Sequence, residues 1–249
     1  MKSYLPHIVL MAFALLSSEL AAETVTYSLA FSLGGRGMEA GTATFSETAD
    51  EYEGNPVIMS RMTMSTNRLT SLVFMLRDTL MSVMSADGLP LHYSKQVNER
   101  SRHAVETAGF MHSTSGCDVH LVVRRDGRVM HDVHENSQET VYDMLSMLHH
   151  ARYLDANGVG PGDEILTIPM VNGELVVMQH ILFEGTESVT DGDGTAHECL
   201  RLSVRDYKYG DERETMKVFV TNDALRIPVR MDIVLGSAAI KAVMKEYIR

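Results

Sequence analysis

The chain has no tryptophan, and its 249 residues include only two cysteines and six prolines. Two cysteines cannot build a disulfide scaffold, so an apolar core must carry the fold. For Cys117 and Cys199 two states stay open: one disulfide closing a long loop, or two free thiols packed as small apolar residues. Basic side chains are scarce as well, with 22 Lys and Arg against 33 Asp and Glu and a net charge of −11. That balance excludes a nucleic-acid partner, which needs a basic footprint, and disfavours a polybasic membrane dock. Motifs of catalysis are missing too. There is no Gly-x-Ser-x-Gly elbow, Walker loop, His-Glu-x-x-His or Cys-x-x-Cys, so no catalytic residue and no cofactor is assigned.

Long apolar runs are confined to the beginning. Lys2, the stretch Ile8 to Leu16 and the small or polar end Ser17 to Ala22 read as a secretory signal peptide over residues 1–22, with a mature chain from Glu23. The run is too short for a permanent membrane helix, and no transmembrane segment is expected in residues 23–249. An exported, periplasmic protein follows from this pattern. With 45% apolar and 22% charged residues the remainder is globular, and no Pro/Ser-rich linker divides it, so one domain over 23–249 is expected.

Period-two alternation dominates. Leu200, Leu202 and Val204 alternate with Arg201, Ser203 and Arg205; Val25, Tyr27, Leu29 and Phe31 repeat the pattern, as do Val229, Met231, Ile233 and Leu235. Gly34–Gly35 and Asp191–Gly192–Asp193–Gly194 read as turns, the latter without the glutamate of a calcium loop. Asp126–Gly127 and Asn172–Gly173 suit the positive φ angles of type I′ hairpins. Helices are few. Asn136 and Glu139 resemble a capping box ahead of Val141, Met144, Leu145 and Leu148, which places the longest helix within Asn136 to Ala156. A shorter one is expected after Asn67, through Leu69, Leu72, Val73 and Leu76. The fold class is mainly β: a curved antiparallel sheet, barrel-like or sandwich, with one or two short helices.

Tyr27 to Phe31, Gly34–Gly35, Ala40–Gly41, Tyr93, Val141 to Ser146, Gly160–Pro161–Gly162–Asp163, Val218 to Asp223 and Arg226 to Val229 stand in an order that resembles the exported bacterial family catalogued as domain of unknown function 3108. The resemblance covers nearly the whole expected mature chain. It implies an envelope-located antiparallel β protein, with no established reaction and no catalytic residues to carry over.

Eleven histidines invite a search for metal ligands. His131 and His134 point to opposite faces if they share a strand. A hairpin at Asp126–Gly127 would set His120 opposite Val133, making His120 and His131 same-face neighbours. Two imidazoles leave a tetrahedral ion short of ligands, so no metal site is assigned. Eighteen methionines are the most unusual feature that is present. Met62 and Met64 share one face of a strand, and Leu80, Met81, Val83 and Met84 make both faces of the next run apolar. Flexible thioethers fill irregular cores or mould around apolar guests, which makes Met62 and Met64 the candidate ligand-binding residues. The leading function is a periplasmic accessory or binding protein holding a lipid-like or glycan-lipid envelope component. The alternatives are an interaction module that pairs a strand edge with an envelope protein partner, and a metal-assisted hydrolase using His120 and His131.

Overall fold

A computed structural model describes residues 22–249 apart from 34–35, 73–74, 100–101, 155–157, 209–210 and 236–237. The expected signal peptide and the Gly34–Gly35 turn therefore lie outside the described residues. Among the described residues fourteen strands follow one another: β1 Glu23–Leu33, β2 Arg36–Tyr52, β3 Asn55–Thr66, β4 Arg77–Ser85, β5 Pro90–Glu99, β6 Arg102–Ser113, β7 Gly116–Arg125, β8 Arg128–Ser137, then β9 Glu164–Asn172, β10 Leu175–Thr190, β11 Ala196–Lys208, β12 Asp211–Thr221, β13 Pro228–Leu235 and β14 Ala238–Ile248. Among the described residues, one α-helix, α1 Met144–Ala151, lies between β8 and β9, and a single 3₁₀ turn spans Thr70–Leu72.

All strands join one antiparallel sheet in the order β8-β7-β6-β5-β4-β3-β2-β1-β14-β13-β12-β11-β10-β9, curled into a nearly closed barrel. Sequential neighbours pair except at β8 and β9, and the pairing of β1 with β14 joins the two halves. The edges β8 and β9 are brought together by other means. The Glu135 carboxylate accepts from the Val176 amide, Arg125 meets Glu174, and Tyr142 adds a short parallel bridge to Met170 of β9. Tyr142 thus covers part of an edge that would otherwise invite another strand.

Interior side chains come from alternate positions, as the period-two pattern requires. Ala43, Phe45 and Glu47 of β2 face Met64, Met62 and Ser60 of β3, which in turn face Asp78, Leu80 and Ser82 of β4. The barrel closes over α1, whose Leu145, Ser146, Met147, Leu148 and His149 are all buried. Among the described residues, no helix is long and apolar enough to cross a membrane.

Several local expectations change. Asn136 belongs to β8, and the helix is capped seven residues later by Asp143, whose carboxylate accepts from the Leu145 and Ser146 amides at 2.9 and 3.1 Å. After Asn67 the described residues form a 3₁₀ turn, its Thr70 amide donating to the Asn67 side chain, and Val73 of the expected helix lies outside them. Asp126 and Gly127 both have positive φ, as a type I′ hairpin needs. At the next hairpin the loop is Gly173–Glu174, with Asn172 still in β9 and Gly173 at φ +66°, the pattern of a type II′ turn. Asp191 closes a plain turn by accepting from the Asp193 and Thr195 amides. Cys117 and Cys199 are free and buried.

Candidate functional site

Two layers of the barrel interior, separated by α1, carry different chemistry. The first is polar. Ser60 Oγ donates to Glu47 Oε1 at 2.6 Å, and His149 Nδ1 lies 3.2 Å from the same oxygen. Arg152, at the helix C-cap, bonds both Glu47 and Glu23 and donates to the Leu225 carbonyl. Tyr247 donates its hydroxyl to Glu23 at 3.1 Å. At the other end of the helix, Ser82 Oγ donates to Asp143 Oδ2 at 2.7 Å, and the Asp143 amide donates to Ser146 Oγ, completing a capping box. Glu47, Ser60, Ser82, Asp143 and Ser146 have no solvent exposure. Burial pushes the Asp143 carboxyl above its usual range against the pull of these donors. Burial likewise raises the Tyr93 phenol, with the Asp143 and Glu106 charges adding to the shift.

This layer holds Ser, Glu and His together without forming a nucleophilic triad. Ser60 donates to the carboxylate and not to the imidazole, so the serine–histidine contact that a triad needs is not made. Its role is to bolt the helix across the barrel.

The second layer is a cavity of about 280 Å³ on the other face of α1. Five methionines line it: Met62 and Met64 of β3, Met144 of α1, Met216 of β12 and Met231 of β13. Leu148 floors it beside Met144, and Phe31, Ile233 and Ile240 close the far wall. One wall is charged. Lys95 Nζ lies 3.6 Å from Glu106 Oε2, both facing inward on the paired strands β5 and β6, and the Lys95 side chain keeps 32% of its exposure. Asp78, also in this wall, accepts from the Asn98 amide at 3.1 Å. The site is therefore an apolar chamber with a small polar wall reached by water, the usual composition of a small-molecule pocket.

The cavity contains both residues chosen from sequence, Met62 and Met64. The histidine pair fares differently. A bulge at Val123/Arg124 slips the β7–β8 register by one, so His120 faces His134 and Val123 faces His131. A one-residue slip exchanges the faces of a strand, and His120 and His131 end on opposite sides of the sheet. His120 instead stacks on His134 with ring centroids 4.3 Å apart, each imidazole bonded to an aspartate, Asp132 and Asp118 respectively. These rings flank an open surface depression of about 660 Å³ outside the barrel. Among the described residues, no three His, Cys, Asp or Glu side chains converge as a metal site would require. His149 and His150, in the last turn of α1, bond Glu47 and the Gly88 carbonyl.

Sequence reasoning missed the polar layer. Its signal was present as Glu47 in phase with Ala43 and Phe45, and Ser60 in phase with Met62 and Met64.

A profile of the family described as protein of unknown function DUF3108 matches residues 24–245. The chain belongs to the DUF3108 family. No match was found among curated proteins. Among solved structures, this DUF3108 chain is similar to the crystal structure of a beta-barrel-like protein of domain of unknown function DUF1849 from Brucella abortus. The TM-score is 0.61 at 10% identity, covering 91% of this chain and 97% of that one. At that identity the likeness concerns the fold alone.

Proposed function

We propose that this protein is a periplasmic binding protein that holds the apolar chain of a lipid-like envelope molecule inside its barrel. The observation that carries this reading is the methionine-lined cavity above a helix held rigidly on its other face. Thioethers adapt to guests of varied shape, whereas a core serving stability alone is packed without voids. At about 280 Å³ the chamber sits near the lower limit of ligand pockets, which suits part of one acyl chain and not a whole glycan-lipid. Lys95 and Glu106 on the charged wall would receive the polar end of such a guest. The N-terminal pattern of Lys2, Ile8 to Leu16 and Ala22 supports export.

Binding of an environment-sensitive acyl-chain probe tests the proposal. The unmodified protein should bind it with a defined stoichiometry, and the cavity-filling pair Ala43→Leu and Ala242→Leu should weaken binding at least tenfold while the protein stays folded. A folded unmodified protein that ignores the probe, or filled variants that bind it equally well, would overturn the proposal.

A further inference from the structure

The barrel end nearest the cavity carries the C-terminal ends of the odd-numbered strands, and its surface differs from the rest of the molecule. Leu69 and Leu72, between β3 and β4, are 78% and 70% exposed, and Met38 at the start of β2 is 54% exposed. Isolated exposed leucines need no explanation, but these three sit on backbone that is tied together. The Asn67 amide donates to the Ala40 carbonyl at 2.7 Å, and its side chain and the Thr70 hydroxyl both donate to the Glu39 carbonyl. The base of the segment is pinned by Thr66 and Leu76, which bond each other through the Thr66 amide and hydroxyl at 3.1 Å. Thr70 and Leu76 turn inward, the latter into the cavity wall, so the fold holds Leu69 and Leu72 outward on a braced support.

Charge follows the same polarity. From Asn67 to Arg77 the sequence has two arginines and no acidic residue, in a chain of net charge −11. Arg68 and Arg77 are exposed beside the leucines, and Arg124 and Arg128 are exposed at the β7–β8 hairpin of the same end, interrupted by Asp126. Glu39 is exposed beside Met38. Val129, Met130 and Val234 add exposed apolar surface at this end. Paired leucines between arginines match a bilayer interface, where apolar side chains enter the acyl boundary and arginines meet lipid phosphates.

From this juxtaposition we propose that the Met38–Leu69–Leu72 end docks on the surface of an anionic phospholipid bilayer, with Arg68 and Arg77 at the headgroups. The docking is weak and reversible, as two or three shallow anchors imply. It places the cavity end against the membrane, yet it stands or falls separately from occupancy of the cavity.

Flotation with phosphatidylglycerol vesicles, compared with phosphatidylcholine vesicles, tests the docking. The unmodified protein should float with the anionic vesicles and be released by raised salt. Leu69→Asp with Leu72→Asp should reduce partitioning by roughly tenfold or more, and Arg68→Glu with Arg77→Glu should abolish the preference for anionic lipid. Both variants should keep the thermal transition and the acyl-probe affinity of the unmodified protein, which separates docking from the cavity. Failure of the unmodified protein to float would overturn the proposal. So would equal flotation by folded variants, or cross-linking of Leu69 to an envelope protein without vesicle binding. Flotation without probe binding would uphold docking and defeat the carrier.

Discussion

The two faces of α1 show opposite ways of filling a barrel. On one face, Asp143, His149 and Arg152 meet buried partners on β1, β2 and β4 in fixed hydrogen-bond geometry. On the other, Met144 and Leu148 meet a space walled by flexible side chains and left partly unfilled. Buried polar groups are costly when unpaired and directional when paired, so they fix position. Methionines do neither. The difference teaches that the rigidity of one face is what allows looseness on the other: a helix held only by apolar contacts would collapse into the cavity.

The strongest way to break this contrast is at Arg152. Arg152→Ala leaves Glu23 and Glu47 buried without the guanidinium that joins them and should cost about 3–5 kcal/mol in urea unfolding. A cost below about 1 kcal/mol would mean that the charges are not what holds the helix. Asp143 comes next. Asp143→Ala removes the helix cap and strands Ser82, for a loss of about 2–3 kcal/mol, whereas Asp143→Asn keeps an acceptor for the helix amides and should lose less.

The same residue gives a pH test. Because burial raises the folded-state pKa of Asp143 above its ordinary value of 3.8, its contribution is fully present below that value and is lost as pH rises through the raised one. The stability difference between the unmodified protein and Asp143→Asn should therefore shift against the unmodified protein as pH rises across that window. A difference independent of pH would show that Asp143 titrates alike in both states.

How far the sequence revealed these two faces follows from what each signal encodes. Alternation exposed the strands at Val25 to Phe31 and Leu200 to Tyr207, and it placed Met62 and Met64 on one inward face, because side-chain period needs no knowledge of partners. Register was less accessible. The bulge at Val123/Arg124 has no fixed residue signature, and it alone moved His120 from Val133 to His134. The cap was misplaced for a related reason. Asn136 fits a helix start as well as Asp143 does, and only the pairing of Cys117 with Ser137 carries β8 past it. The cavity depends on contacts between β3, β12 and β13, far apart in sequence, and alternation cannot say whether such walls touch.

The loose face should respond weakly where the rigid one responds strongly. Met62→Ala should cost less than the roughly 2–5 kcal/mol of a packed core site, and half-buried Met64→Ala less still, since both already border open space. Both should lower acyl-probe affinity. A full core penalty at Met64 without a change in probe binding would erase the contrast and return that face to ordinary core.

The smallest effect belongs to the thiols, and it can sharpen the contrast without altering it. Both cysteines are buried; desolvation pushes the Cys199 thiol up to about 11 and raises that of Cys117, so neither should react with a thiol reagent at neutral pH in the folded protein. Their neighbourhoods differ. Cys117 lies against the backbone of Val141, in the segment that leads into α1, while Cys199 sits in β11, paired with Thr221 of β12. Local opening need not be uniform, and labelling reports whichever unit opens first. In single-cysteine variants carrying Arg152→Ala, Cys117 should therefore lose protection before Cys199, because releasing the helix frees Val141 while β11 keeps its ladder. Labelling kinetics checks this directly. Equal loss at both thiols would mean that the helix and the barrel open as one unit, so that the polar face stabilises the whole barrel and not the helix in particular.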